Sequence, residues 1–184
     1  STEEALQVVM AAQEIFPRVS LDLMYGRSSQ SVSQWEDELL LCLERVRPRH
    51  LSLYQLSIER GTRFGALFRR GKLQVPDADA VSLLYDSTVE VATGKGELLQ
   101  YEVSNFAHPG HESIHNQHYW EGGSYVGIGP GAHSRIFTST PPESFPSGWY
   151  EAVQIPSPKS WAQDLECGGS GLAHWKHLDR TSRA

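Results

Sequence analysis

The chain has 184 residues, a formal net charge of −6, 39% apolar residues and 21% charged residues. That length supports a sizeable buried core in one domain, or in one domain with a tail. No basic stripe is present, which argues against nucleic-acid binding, and the apolar runs fall far short of the ~20 residues needed to span a membrane.

Ser1 and Glu4 have the spacing of a capping box, and Leu6, Val9, Met10 and Ile15 follow, so a helix is predicted over 3–16, ended by Pro17. A chain that opens on a helix cap, without a starting Met or a targeting segment, reads as a piece of something longer. Residues 19–25 are an apolar run interrupted by Asp22 and closed by Gly26, the pattern of a buried strand. Ser33-Gln34-Trp35-Glu36 reads as a second capping box. It predicts a helix to about Val46 with Leu39, Leu40, Leu43 and Val46 on one face, stopped by Pro48. Residues 50–58 alternate with period two, a strand. Gly61 and Gly65 flank a loop or short helix. Asp77 or Asp79 then caps a helix to about Thr93, its face carrying Val81, Leu84, Tyr85, Thr88 and Val91, with Gly94 and Gly96 at its end. Residues 98–106 read as a third strand. This alternation predicts α/β layers with a parallel sheet. Three strands are too few for a closed barrel, so the chain is either a small unusual protein or the back part of a larger (β/α) domain. Residues 137–184 hold five prolines and scattered Trp149, Trp161 and Trp175 without a persistent period. They read as a disordered or irregular tail, the alternative being a compact irregular subdomain held by its aromatics.

The chemistry concentrates at 115–134, H-N-Q-H-Y-W-E-G-G-S-Y-V-G-I-G-P-G-A-H-S. Five of the eight histidines lie between 108 and 133. A helix would put His111 and His115, or His115 and His118, on one face, but Pro109 and Gly110 oppose a helix through His111. With no cysteine nearby, the readings are a weak zinc site, ordinary surface histidines, or one imidazole on haem iron with Tyr119 and Trp120 offering flat faces to a porphyrin. The glycines of G-I-G-P-G (127–131) permit either close approach of backbone to a ligand or a tight strand-to-turn transition. They match neither a P-loop nor G-x-G-x-x-G. Asp22, in an apolar strand, needs a partner if buried. At the carboxyl end of a barrel strand it would accept hydrogen bonds from a ribose diol, with Ser57 at the same rim if the strands are parallel. Cys42 and Cys167 form no metal-binding or disulfide spacing.

D-L-M-Y-G (22–26), H-L-S-L-Y-Q-L-S-I-E-R-G-T (50–62), Y-E-V-S-N-F-A (101–107), H-N-Q-H-Y-W (115–120) and G-I-G-P-G-A-H-S (127–134) together resemble the HemW-type haem chaperones. These are relatives of oxygen-independent coproporphyrinogen III oxidase in the radical S-adenosylmethionine superfamily. The resemblance covers residues 1–136 and implies the C-terminal half of a partial (β/α)6 barrel, with 137–184 as an irregular tail outside the family. It implies haem, S-adenosylmethionine and a [4Fe–4S] cluster for the full-length protein, haem-accepting proteins as partners, and a mitochondrial location. Residue by residue, it implies S-adenosylmethionine contacts at Asp22, Ser57 and His133. It implies haem contacts at His115, Asn116, Tyr119 and Trp120, with His115 on the iron. The three-cysteine loop that holds the family's cluster is not in these residues, and Arg27-Ser28-Ser29 stand where the family has Leu-Pro-Gly. The expected role is therefore haem trafficking rather than radical catalysis by this chain. The alternative is a fragment of a coproporphyrinogen oxidase-like enzyme of porphyrin biosynthesis.

Overall fold

The computed structural model describes residues 1–139 and 146–178. It resolves into two compact units, Ser1–Ile114 and His115–Ala184.

In the first unit, helix α1 (Thr2–Ile15) opens on the Ser1–Glu4 capping box expected from sequence. Strand β1 (Leu21–Tyr25) leads to α2 (Val32–Val46), whose capping box is Ser31–Gln34 rather than Ser33–Glu36. Ser31 Oγ accepts from Gln34 N–H while Gln34 Oε1 accepts from Ser31 N–H, so the helix gains two residues at its start. Trp35, Leu39, Cys42 and Val46 are buried, at spacings of four, three and four, which makes one apolar stripe. Strand β2 (His50–Gln55) precedes the short α3 (Arg63–Arg69). Helix α4 (Ala78–Glu90), capped by Asp77, runs into a π-helical turn at Val91–Lys95. Leu84 and Thr88 of the expected face are buried. The Trp35 indole N–H donates to Thr88 Oγ1 at 2.7 Å, and Thr88 in turn donates to the Leu84 carbonyl, so α2 and α4 are joined inside the core.

The third strand is not one strand. Residues 98–106 fold as a hairpin, β3 (Leu99–Glu102) and β4 (Asn105–Ala107), around Val103 and Ser104. Glu102 accepts from the Ser104 amide and the Asn105 side chain, and so closes the turn without glycine or proline. The sheet order is β1-β2-β4-β3, with β1 parallel to β2 but β4 antiparallel to β2. The all-parallel expectation therefore holds for one pair only. The register pairs Leu21 with Leu51, Leu23 with Leu53, and Leu51 with Phe106, which puts these side chains on the face covered by the helices. Alternation then forces Asp22, Met24, His50, Ser52, Tyr54 and Asn105 onto the opposite, largely polar face.

In the second unit, helix α5 (Ile114–Trp120, its first residue closing the preceding unit) is followed by β5 (His133–Thr138), β6 (Gly148–Gln154), α6 (Pro158–Glu166) and β7 (Leu172–Leu178). The strands form an antiparallel meander, β5-β6-β7. This corrects the expectation of a disordered or irregular tail for the described part of 137–184; residues 140–145 and 179–184 lie outside the described residues. Tyr150 and Ala152 are buried on one face of β6, and Trp175 stacks on Tyr150 at 5.0 Å. The described prolines punctuate rather than break the elements. Pro146 precedes β6, Pro156 follows it, and Pro158 occupies the first turn of α6 behind the Ser157 cap, where its missing N–H costs nothing. Among the described residues no helix is long and apolar enough to cross a membrane.

Candidate functional site

The polar face of the first unit's sheet carries Asp22, which is exposed rather than buried and so is not obliged to have a protein partner. It pairs in register with Ser52, near the amino end of β1. Ser57 lies two residues past the end of β2, also exposed. The expectation that both occupy one carboxyl-end rim is thus not met: five residues separate Ser52 from Ser57, roughly 16 Å of extended chain. His133, exposed at the start of β5, belongs to the second unit.

Beside Asp22 the same face holds a buried polar chain that motif reading does not single out. His50 Nδ1 lies 2.7 Å from Ser20 Oγ, and His50 Nε2 lies 2.5 Å from the Tyr101 hydroxyl, which accepts the Ser113 amide at 3.1 Å. One proton assignment is consistent along the chain: Ser113 N–H and Tyr101 O–H donate in sequence, and a neutral His50 donates from Nδ1 to Ser20. Burial depresses the His50 pKa, Arg18 adds to this, and Asp22 and Glu112 oppose it. The signal in the sequence was the polar set His50, Ser52, Tyr54 within the alternating strand.

Helix α5 settles the histidine spacing. It begins at Ile114, so His111 is not on it; the His111 amide donates to the His108 carbonyl in a turn. The two histidines on the helix do different things. His118 Nε2 donates to the Ser124 carbonyl at 2.8 Å, and its ring covers Gly123, where a Cβ would lie 2.1 Å from the imidazole. His118 is therefore committed to holding the turn after the helix. His115 is exposed, with its ring edge-on to Tyr119 at 4.6 Å, and Tyr119 lies 4.6 Å from Tyr125. Tyr119 and Trp120 are 43% and 56% exposed, and Tyr119 sets a flat face against an imidazole open to solvent. Asn116 is partly buried on the same helix. Tyr119, Tyr125, Arg135 and Trp149 line a cavity of about 220 Å³, too small to enclose a porphyrin. A flat ligand would lie across this surface.

The glycine run has a local explanation. A Cβ at Gly127 would sit 2.2 Å from the His133 carbonyl oxygen, and the Gly127 amide donates to the buried Ser134 hydroxyl at 2.9 Å. Gly127 thus lets its own chain lie against the start of β5, the strand-to-turn reading. No cluster of three or more His, Cys, Asp or Glu that could hold a metal ion occurs among the described residues, which leaves the zinc reading without support. Cys42 is buried, its thiol pushed up to about 11 by burial, and Cys167 is exposed at the end of α6. These cysteines do not fit an iron–sulfur cluster.

No family model matches the chain. It is 41% identical to radical S-adenosyl methionine domain-containing protein 1, mitochondrial, of Bos taurus over 173 residues, covering 93% of this chain and 38% of that protein. It is 39% identical to heme chaperone HemW of Escherichia coli over 129 residues, covering 70% of this chain and 31% of that protein. The solved Escherichia coli coproporphyrinogen III oxidase HemN, a radical SAM enzyme, superposes with a TM-score of 0.74 at 20% identity, over 99% of this chain and 42% of that one, and so shows the fold. Alignment over 93% of the chain also reaches into 137–184, correcting the expectation that this segment stands outside the family. The chain spans about two fifths of the length of the mitochondrial relatives it matches. It is a homologue of mitochondrial radical S-adenosyl methionine domain-containing protein 1 and of the heme chaperone HemW, and has the fold of part of a radical SAM barrel protein.

Proposed function

We propose that this chain is the haem-presenting part of a mitochondrial HemW-like haem chaperone that passes haem to haem proteins. The observation that carries the reading is the division of labour on α5: His118 is consumed by the turn, while His115 stands exposed against Tyr119, with Trp120 exposed on the same helix. One imidazole and two flat side chains fit a haem face, and haem bound there would offer its iron to His115. Asn116, Tyr119 and Trp120 orient the ring, and the open surface suits a ligand that must leave again. Of Asp22, Ser57 and His133, Asp22 alone is carried forward as a contact for S-adenosylmethionine. The exposed Asp22 carboxylate, on a polar sheet face, suits a ribose diol. No radical step is assigned to this chain, since its two cysteines do not fit the cluster. The coproporphyrinogen oxidase reading has the fold likeness in its favour, whereas the relatives at about 40% identity include the named chaperone.

Haem titration of the purified chain, followed at the Soret band, tests the proposal. A saturable shift that His115→Ala removes and His118→Ala keeps is expected. No shift, or a shift indifferent to His115→Ala, rejects haem ligation here.

A further inference from the structure

We propose that the concavity at the amino ends of β1 and β2 binds a small polyanion, a molecule bearing phosphate or clustered carboxylate groups. The concavity has a volume of about 470 Å³, within the range of small-molecule sites. Arg47 and Arg49 form its cationic wall, with His111 beside them, and Phe16 and Val46 supply an apolar floor. Arg49 Nη1 lies 3.4 Å from His111 Nε2. The loop that carries His111 is braced, because Arg18 donates to the carbonyls of Gly110 at 2.8 Å and Glu112 at 2.6 Å. No acidic side chain lines the concavity. Among the described residues the ion pairs use the amino terminus, Arg27, Arg45 and His174, and Arg47 and Arg49 are in none of them. Glu44 and Glu97 line a neighbouring concavity that Arg47 also borders, without pairing with it. Two guanidinium groups outside any ion pair among the described residues, exposed at one rim of the concavity, are available to an anion.

Arg47 ends α2 in the left-handed conformation, at φ 48° and ψ 56°, a position where glycine is the usual residue. Glycine would fit that backbone without strain, so the guanidinium can be removed there without disturbing the turn. The site lies at the opposite end of β1 from Gly26. Guanidinium forks match phosphate and carboxylate oxygens in pairs, which defines the ligand class.

Isothermal titration of the purified chain with inorganic pyrophosphate, and with citrate in a parallel arm, tests this. Saturable binding of at least one is expected; tighter pyrophosphate marks a phosphate-bearing ligand and tighter citrate a polycarboxylate. Arg47→Gly is the decisive variant, because glycine suits the backbone there and the fold is retained. It and Arg49→Gln should each weaken binding about tenfold. Binding of neither anion, or affinity unchanged in both variants, overturns the proposal.

Discussion

Gly127→Ala separates the two uses of the glycine run. The added methyl would lie 2.2 Å from the His133 carbonyl oxygen, 2.8 Å from its carbon and 2.9 Å from its nitrogen. These are backbone atoms of β5 and cannot swing aside as a side chain would. Relief requires the two segments to part by roughly 1 Å. That stretches the 2.9 Å hydrogen bond from the Gly127 amide to Ser134, and strains the paired bonds between Tyr125 and Arg135 at 2.7 and 2.9 Å. Overpacking at about 1–3 kcal/mol, with about 1 kcal/mol for the hydrogen bond to a buried hydroxyl, sums to about 2–4 kcal/mol. Urea unfolding followed by tryptophan fluorescence reads this directly, since Trp149, Trp161 and Trp175 report on the meander. Gly129→Ala is the companion, with φ at 108° but open space around its Cβ, and should cost about 1–2 kcal/mol through the backbone alone. An alanine at 127 that leaves the urea midpoint at its parental value would refute the packing argument, and would restore the view that Gly127 makes room for a ligand.

Thr88→Val keeps the side-chain shape but strands the buried Trp35 indole N–H. It should destabilise the first unit by about 1–3 kcal/mol in urea titrations, and a neutral result would show that the α2–α4 link contributes nothing. His118→Ala should lower the stability of the second unit by about 1 kcal/mol by freeing the Ser124 carbonyl, while haem binding persists. Its Soret titration would expose a wrong choice of histidine. His50 has a folded pKa below its ordinary 6.5, set first by burial. The unfolded chain therefore takes up the proton more readily. The contribution to stability is complete above about pH 6.5 and is lost as pH falls through the folded value. In His50→Gln the fall in stability over that acid window should be shallower than in the parent; equal slopes from pH-dependent urea midpoints would remove His50 as its source.

Much of the fold was legible because local rules and packing agree. The Ser1–Glu4 box, the stripe through Leu39 and Val46 and the alternation of 50–55 each state an element that the core then uses. The hairpin inside 98–106 was hidden because Glu102 and Asn105, rather than glycine, close its turn. Residues 148–178 were hidden because proline content suggested disorder, whereas Pro156 stands between elements and Pro158 in the first turn of α6. At the site, His115 and His118 look equivalent in sequence. Only the turn at Gly123 and Ser124, folded back under His118, distinguishes them.

By itself the sequence determined the alternation of helices and strands, the polar and apolar faces of β1 and β2, and the motifs that mark descent, because periodicity and composition are local properties. The tertiary structure decided which way β4 runs, where Asp22 sits along its strand, that Gly127 serves its own backbone, and which histidine is open to a ligand. Each of these depends on pairing between segments distant in the chain, and no local pattern encodes a partner that only folding supplies.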